Sequence, residues 1–263
     1  MTTSELTADF VLTRHAYGSD PEQFGELRLP AQAGAGPFPS IVYIHGGGYR
    51  AQVTLAGAVG ITSALTRLGY ATWSIEYRRV GNGGEWPVIF DDVRAAASHL
   101  HKLAEDAPID LSRVIVAGQS AGGQLALYLA KQRTGGNTAL PDFRAVLALA
   151  PATDLRRSAS SPDSAIRAVL GGGPEDVPER YAATSPLELL PIGLPQLLVH
   201  GTADKTVPYA LSETYVARAR AAGDTIELVT VEGADHLDLW NAGSMAFPTV
   251  VSAAKTFLAR ESQ

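Results

Sequence analysis

The chain has 263 residues, 46% hydrophobic and 18% charged, with a formal net charge of −6 and no cysteine. That apolar fraction excludes wholesale disorder, and the lack of cysteine excludes a disulfide scaffold, a zinc–thiolate site and a thiol nucleophile. An acidic chain without clustered Lys and Arg has no electrostatic reason to bind nucleic acid, and no apolar run approaches the ~20 residues of a membrane helix. The segment Met1 to Asp20 lacks the basic and apolar regions of a signal peptide, so a cytoplasmic protein that binds no membrane is the expectation.

Phe10–Ala16 and Glu26–Leu29 alternate like half-exposed edge strands. The Ala-, Gly- and Pro-rich stretch Ala31 to Ser40 reads as a loop between this hairpin and a main sheet. Buried strands are expected at Ile41–Ile44, Ala71–Tyr77, Val114–Ala117, Ala145–Ala150, Gln196–His200 and Thr225–Val231. Between them, helical patterns run over Thr54–Leu68, Val88–Glu105, Ala121–Gln132, Tyr209–Ala222 and Met245–Arg260. Continuous apolar strands alternating with helices point to an α/β fold, its mostly parallel sheet covered on both faces. The stretch from Thr153 to Pro191 breaks the rhythm, with short helical patterns at Ser164–Leu170 and Glu175–Ala182. It is too short for an independent core, so it reads as a cap-like insertion in a single domain spanning 1–263.

Gly118-Gln119-Ser120-Ala121-Gly122 follows an apolar strand and opens an apolar helix, the context of a nucleophile elbow. The turn is sharp, so Gly118 and Gly122 leave room where chain segments approach, and the Ser120 hydroxyl projects from the sheet. His45-Gly46-Gly47-Gly48-Tyr49 follows the strand Ile41–Ile44. A glycine turn lets backbone amides point at a developing oxyanion, so Gly46, Gly47 and Ala121 are assigned to an oxyanion hole. His45 reads as a brace of that loop.

A serine nucleophile needs a base and an orienting acid. Asp204 lies just past the strand Gln196–His200 and His236 just past Thr225–Val231. The order Ser120, Asp204, His236 is that of α/β-hydrolases. Asp154, after Ala145–Ala150, is the competing acid. His200, inside a strand end, reads as structural, and His99 and His101 face different ways on one helix, a poor metal pair. Tyr49, Trp86, Gln119 and Trp240 are the candidates for the substrate pocket.

With these motifs the chain resembles the α/β-hydrolase superfamily, within it the HGGG-type esterases and the kynurenine-formamidase-like group. The likeness to the latter rests on Glu76-Tyr77-Arg78-Arg79, Trp86-Pro87, Asp91-Asp92-Val93-Arg94 and Tyr181 to Pro186. Tyr49 stands where a formamidase often has Trp, and Gln119 where the group often has His. The resemblance implies an eight-stranded sheet and a serine hydrolase acting on a small or medium carboxylic ester, with no metal or organic cofactor. An arylformamidase, a prolyl-oligopeptidase-like peptidase and a non-catalytic binding homologue are the alternatives. The expected partner is a small-molecule acyl substrate, and the C-terminal helix and edge strands are available for a homodimer.

Overall fold

A computed structural model describes residues 4–6, 9–31, 36–161 and 164–261. Part of the stretch Ala31 to Ser40, residues 32–35, therefore lies outside the described residues. The strands are β1 (Ser4–Leu6), β2 (Phe10–Ala16), β3 (Phe24–Pro30), β4 (Phe38–Ile44), β5 (Ala71–Ile75), β6 (Ile109–Gln119), β7 (Phe143–Leu149), β8 (Gln196–Gly201) and β9 (Ile226–Val231). The helices are α1 (Val59–Arg67), α2 (Val88–Ser98), α3 (Leu100–Asp106), α4 (Ala121–Thr134), α5 (Leu155–Ser158), α6 (Ala165–Leu170), α7 (Pro178–Thr184), α8 (Tyr209–Ala221) and α9 (Phe247–Glu261). The eight expected strands are joined by the short β1, and α5 is a helix the sequence did not announce.

One sheet runs in the order β1-β2-β3-β5-β4-β6-β7-β8-β9. β1, β2 and β3 pair antiparallel, and β3 meets β5 antiparallel. From β5 to β9 every pairing is parallel. Side chains alternate across the parallel strands, and both faces are buried. Val42, Ile44, Val116 and Val146 pack with α2, α4 and α8, whereas Ile41, Tyr43, Ile115 and Leu147 pack with α1 and α9. This is the period-two pattern of a strand covered twice, which explains why those runs are continuously apolar in sequence. Residues Ala121 to Ala130 of α4 are all buried, so the first ten residues of this helix are covered on every side.

The strand order reverses between β4 and β6. From β4 the chain steps outward to β5, then returns across β4 to β6 and proceeds the other way. A crevice opens beyond the carboxyl ends of strands at such a switch point, where α/β proteins bind ligands. The glycine loop leaves β4 there, and Ser120 leaves β6. The register sets Ile44 beside Gly118, so the two motifs start level with one another.

Candidate active site

β6 ends at Gln119 and α4 begins at Ala121, leaving Ser120 to make the turn with φ 52° and ψ −121°. A non-glycine residue holds such a conformation only when its surroundings over-determine it, at a cost of roughly 1–3 kcal/mol. The constraint here is packing. A Cβ on Gly118 would lie 2.3 Å from the Gly122 carbonyl oxygen, and one on Gly122 would lie 2.1 Å from that of Ile44. Among the described residues the other positive-φ non-glycines are Tyr49, which closes the glycine loop after β4, and Ala150, which follows β7. Backbone strain thus collects at one edge of the sheet.

The Ser120 Oγ lies 2.9 Å from His236 Nε2. The other ring nitrogen, Nδ1, lies 2.6 Å from Asp204 Oδ2. A carboxylate oxygen can only accept here, so Nδ1 carries the proton and Nε2 presents a lone pair to the serine hydroxyl. The Trp240 ring meets the His236 imidazole edge-on, with centroids 4.9 Å apart, and holds its plane.

Asp204 is held from four directions. Its Oδ1 accepts the backbone N–H groups of Thr206 and Val207, each at 2.8 Å. Its Oδ2 accepts from His236 and also from His200 Nε2, at 3.1 Å. Burial pushes the carboxyl pKa upward, but the hydrogen bonds from His200, His236 and Val207 outweigh it and hold it well below the usual range. His200 is fully buried; its Nε2 also lies 2.9 Å from the Val207 carbonyl, and its Nδ1 lies 2.7 Å from Ser212 Oγ. The structural role expected of His200 is therefore specific: it ties the acid to β8. A sequence signal existed, since His200 and Asp204 are four residues apart around the turn Gly201-Thr202-Ala203. Asp154, the competing acid, caps α5 instead, its Oδ1 accepting the Arg157 amide at 3.0 Å.

The loop Gly46-Gly47-Gly48 is braced from below. His45 Nε2 meets Glu76 Oε1 at 2.8 Å, and the His45 ring stacks on Tyr77 at 4.6 Å. The Tyr77 hydroxyl donates to the His45 carbonyl at 2.7 Å. Glu76 also accepts the Leu55 amide at 2.9 Å and pairs with Arg79 at 2.5 Å. Burial raises the Glu76 pKa, but hydrogen bonding to His45 and Leu55 and the positive charge of Arg79 bring it below its ordinary value. The Glu76-Tyr77-Arg78-Arg79 segment thus scaffolds the glycine loop. A Cβ on Gly46 would lie 3.0 Å from that of Ser120, so the loop passes directly over the serine. The amides of Gly46, Gly47 and Ala121 have no acceptor among the described residues.

A cleft of about 600 Å3 opens at Ser120, lined by Tyr49, Ala152, Ile166, Val207 and Leu211, with Arg50 and Arg157. Arg157 and Ser158 of α5, Ser160, and Ser164 to Ile166 at the start of α6 line it together, so the 153–191 insertion borders the cleft. Of the four expected pocket residues, Tyr49 lines it. Trp86 does not: it packs on Phe90, lies under the Arg180 guanidinium, and donates its amide to Val169, tying α2 to the insertion. Gln119 is turned away, accepting the Tyr43 hydroxyl beneath the sheet edge. Trp240 supports His236 rather than lining the cleft. Among the described residues no three His, Asp or Glu side chains converge as a metal site requires.

The sheet order, the strand-to-helix serine and the two later loops define an α/β-hydrolase. Over residues 26–218 the sequence matches the BD-FAE family, and the chain belongs to it. It is 26% identical over 260 residues to "Esterase LipC" of Mycobacterium tuberculosis, spanning 92% of this chain and 63% of that protein. It is likewise 26% identical to the "Probable isoprenylcysteine alpha-carbonyl methylesterase ICME" of Oryza sativa subsp. japonica, over 88% of this chain and 59% of that one. The chain thus spans about three fifths of the length of these two relatives. Among solved structures, a "Bacterial Heroin Esterase" superposes with a TM-score of 0.80 at 27% identity, covering 98% of this chain and 87% of that one. Among the described residues no helix is long and apolar enough to cross a membrane.

Proposed function

We propose that this chain hydrolyses small or medium carboxylic esters by acyl transfer to Ser120. The observation that carries this reading is the unbroken relay Ser120–His236–Asp204, at 2.9 and 2.6 Å. In the first step His236 Nε2 takes the hydroxyl proton as Ser120 Oγ attacks the ester carbonyl. Asp204 keeps the proton on Nδ1 and stabilises the imidazolium. The carbonyl oxygen becomes an oxyanion, and the free amides of Gly46 or Gly47 and of Ala121 are its donors, each worth about 2.7–4 kcal/mol. His236 then protonates the departing alkoxide. Water repeats the sequence on the acyl-enzyme and regenerates Ser120. Each donor is fixed before substrate arrives, so little reorganisation accompanies the charge. We take residues 1–263 as one hydrolase unit with the 153–191 insertion as its cap.

The ester reading also draws on the names of the relatives, which are esterases. A cleft of about 600 Å3 suits a short acyl group better than a long lipid chain. The test is hydrolysis of p-nitrophenyl acetate, butyrate and laurate, and of N-formylkynurenine, by wild type and Ser120→Ala. Acetate and butyrate are expected to be the good substrates, with Ser120→Ala inert. Faster turnover of the formamide would replace the ester reading with an amidase one.

A further inference from the structure

The mouth of the cleft is charged against the trend of the molecule. The chain carries 27 Asp and Glu against 21 Lys and Arg. Yet the residues lining the cleft at Ser120 include two arginines, Arg50 and Arg157, and no Asp or Glu among the described residues. Twelve of the seventeen arginines pair with a carboxylate. Arg156, next in sequence to Arg157, pairs with Glu188, and Arg79 is clamped by Glu22 and Glu76. Among the described residues Arg50 and Arg157 have no such partner. Asp154, close to Arg157 in the chain, has its Oδ1 engaged by the Arg157 backbone amide rather than its guanidinium. They reach the cleft from different elements: Arg50 follows the glycine loop, and Arg157 lies on α5 of the insertion.

Each guanidinium offers a planar fork of donors matched to a carboxylate. Two such groups facing one cleft, with no counter-charge in its lining among the described residues, attract an anion and favour one orientation for it. The remaining lining is apolar or hydroxylic, including Ser158 and Ser160 beside Arg157, so it suits an uncharged ester linkage near Ser120.

We propose that the preferred substrate is an ester that carries a carboxylate on its acyl or its alcohol portion, bound by Arg50 and Arg157. This rests on the acyl-transfer reading and adds the chemical class of the substrate. Two pairs of esters test it and separate the two portions. Mono-p-nitrophenyl glutarate against p-nitrophenyl valerate places the charge on the acyl side. 4-Acetoxybenzoate against its methyl ester places it on the alcohol side. Ser120→Ala supplies the blank for spontaneous hydrolysis.

In one of the pairs the wild type is expected to favour the anion in kcat/KM by about ten- to a hundredfold, the range of a charge-assisted hydrogen bond. That ratio should fall at least about tenfold in Arg50→Gln/Arg157→Gln and shrink as salt rises from about 0.05 M to about 0.5 M. Arg144→Gln, at an exposed arginine away from the cleft, should leave the ratio unaltered. A wild type that cleaves the neutral esters with no preference for either anion overturns the proposal and leaves acyl transfer standing. So does a preference that survives the double substitution. A wild type inert on all four esters overturns acyl transfer itself, and this proposal with it.

Discussion

The floor of the cleft and its mouth are built on opposite terms. On the floor nearly every polar group is already engaged: Asp204 accepts four hydrogen bonds, His236 links it to Ser120, and Glu76 holds His45, Leu55 and Arg79. At the mouth two guanidiniums line the cleft without a carboxylate partner among the described residues. Groups that do chemistry need one geometry, and saturation of their hydrogen bonds enforces it. Groups that choose a substrate need open valences, because the partner arrives from solution. The amides of Gly46, Gly47 and Ala121 are the exception on the floor, without an acceptor among the described residues.

This contrast makes substitutions on the floor costly for rate and substitutions outside it selective or mild. The largest effect is expected at Ser120. Ser120→Ala should lower kcat by four or more orders of magnitude, as removal of a nucleophile does elsewhere, with an unchanged melting temperature. Loss of His200 comes next. His200→Ala removes the hydrogen bond to Asp204 Oδ2 that does not come from His236, and should lower kcat about ten- to a hundredfold with KM little altered. A purely structural His200 would instead lower the melting temperature and leave kcat alone, so steady-state kinetics beside calorimetry tells the two apart.

Glu76→Gln should act mainly on stability, by about 3 kcal/mol, because it leaves Arg79 buried with part of its charge unpaired. Glu76 has a lower pKa folded than unfolded, so its contribution is complete above the unfolded value near 4.3 and is lost as pH falls through the lower folded value. Wild-type melting temperature should therefore drop more steeply below about pH 4 than that of Glu76→Gln. The mildest effect on rate is expected at Trp86, which packs outside the cleft. Trp86→Ala should destabilise the contact of α2 with the insertion while changing kcat/KM for short esters by less than about threefold.

The floor was largely readable from the amino-acid order, and the mouth was not. Ser120, Asp204, His236 and the glycine loop each sit at the end of an apolar run, where strand and turn chemistry are local. Strand boundaries followed for the same reason: burial on both faces writes itself as an uninterrupted apolar stretch. Side-chain direction beyond the strand ends has no such signature. Gln119 adjoins Ser120 in sequence yet points to Tyr43, and Trp240 reaches His236 instead of the cleft, because tertiary packing chose their rotamers. α5 escaped because its 4 residues are too few for helical periodicity, and Asp154, which caps it, resembles a catalytic acid at that position. Arg50 and Arg157 carry no pattern at all; only the fold shows that they share a cleft.

Acyl transfer through Ser120 is tested most directly by covalent trapping. Diethyl p-nitrophenyl phosphate presents phosphorus to the nucleophile, and Ser120 Oγ would displace p-nitrophenolate while His236 accepts the serine proton. One equivalent of nitrophenolate should be released, with loss of esterase activity in step and a diethylphosphoryl group on the peptide containing Ser120. Ser120→Ala should take up none. Full inactivation with the label on another residue, or labelling of Ser120 with activity intact, would contradict it.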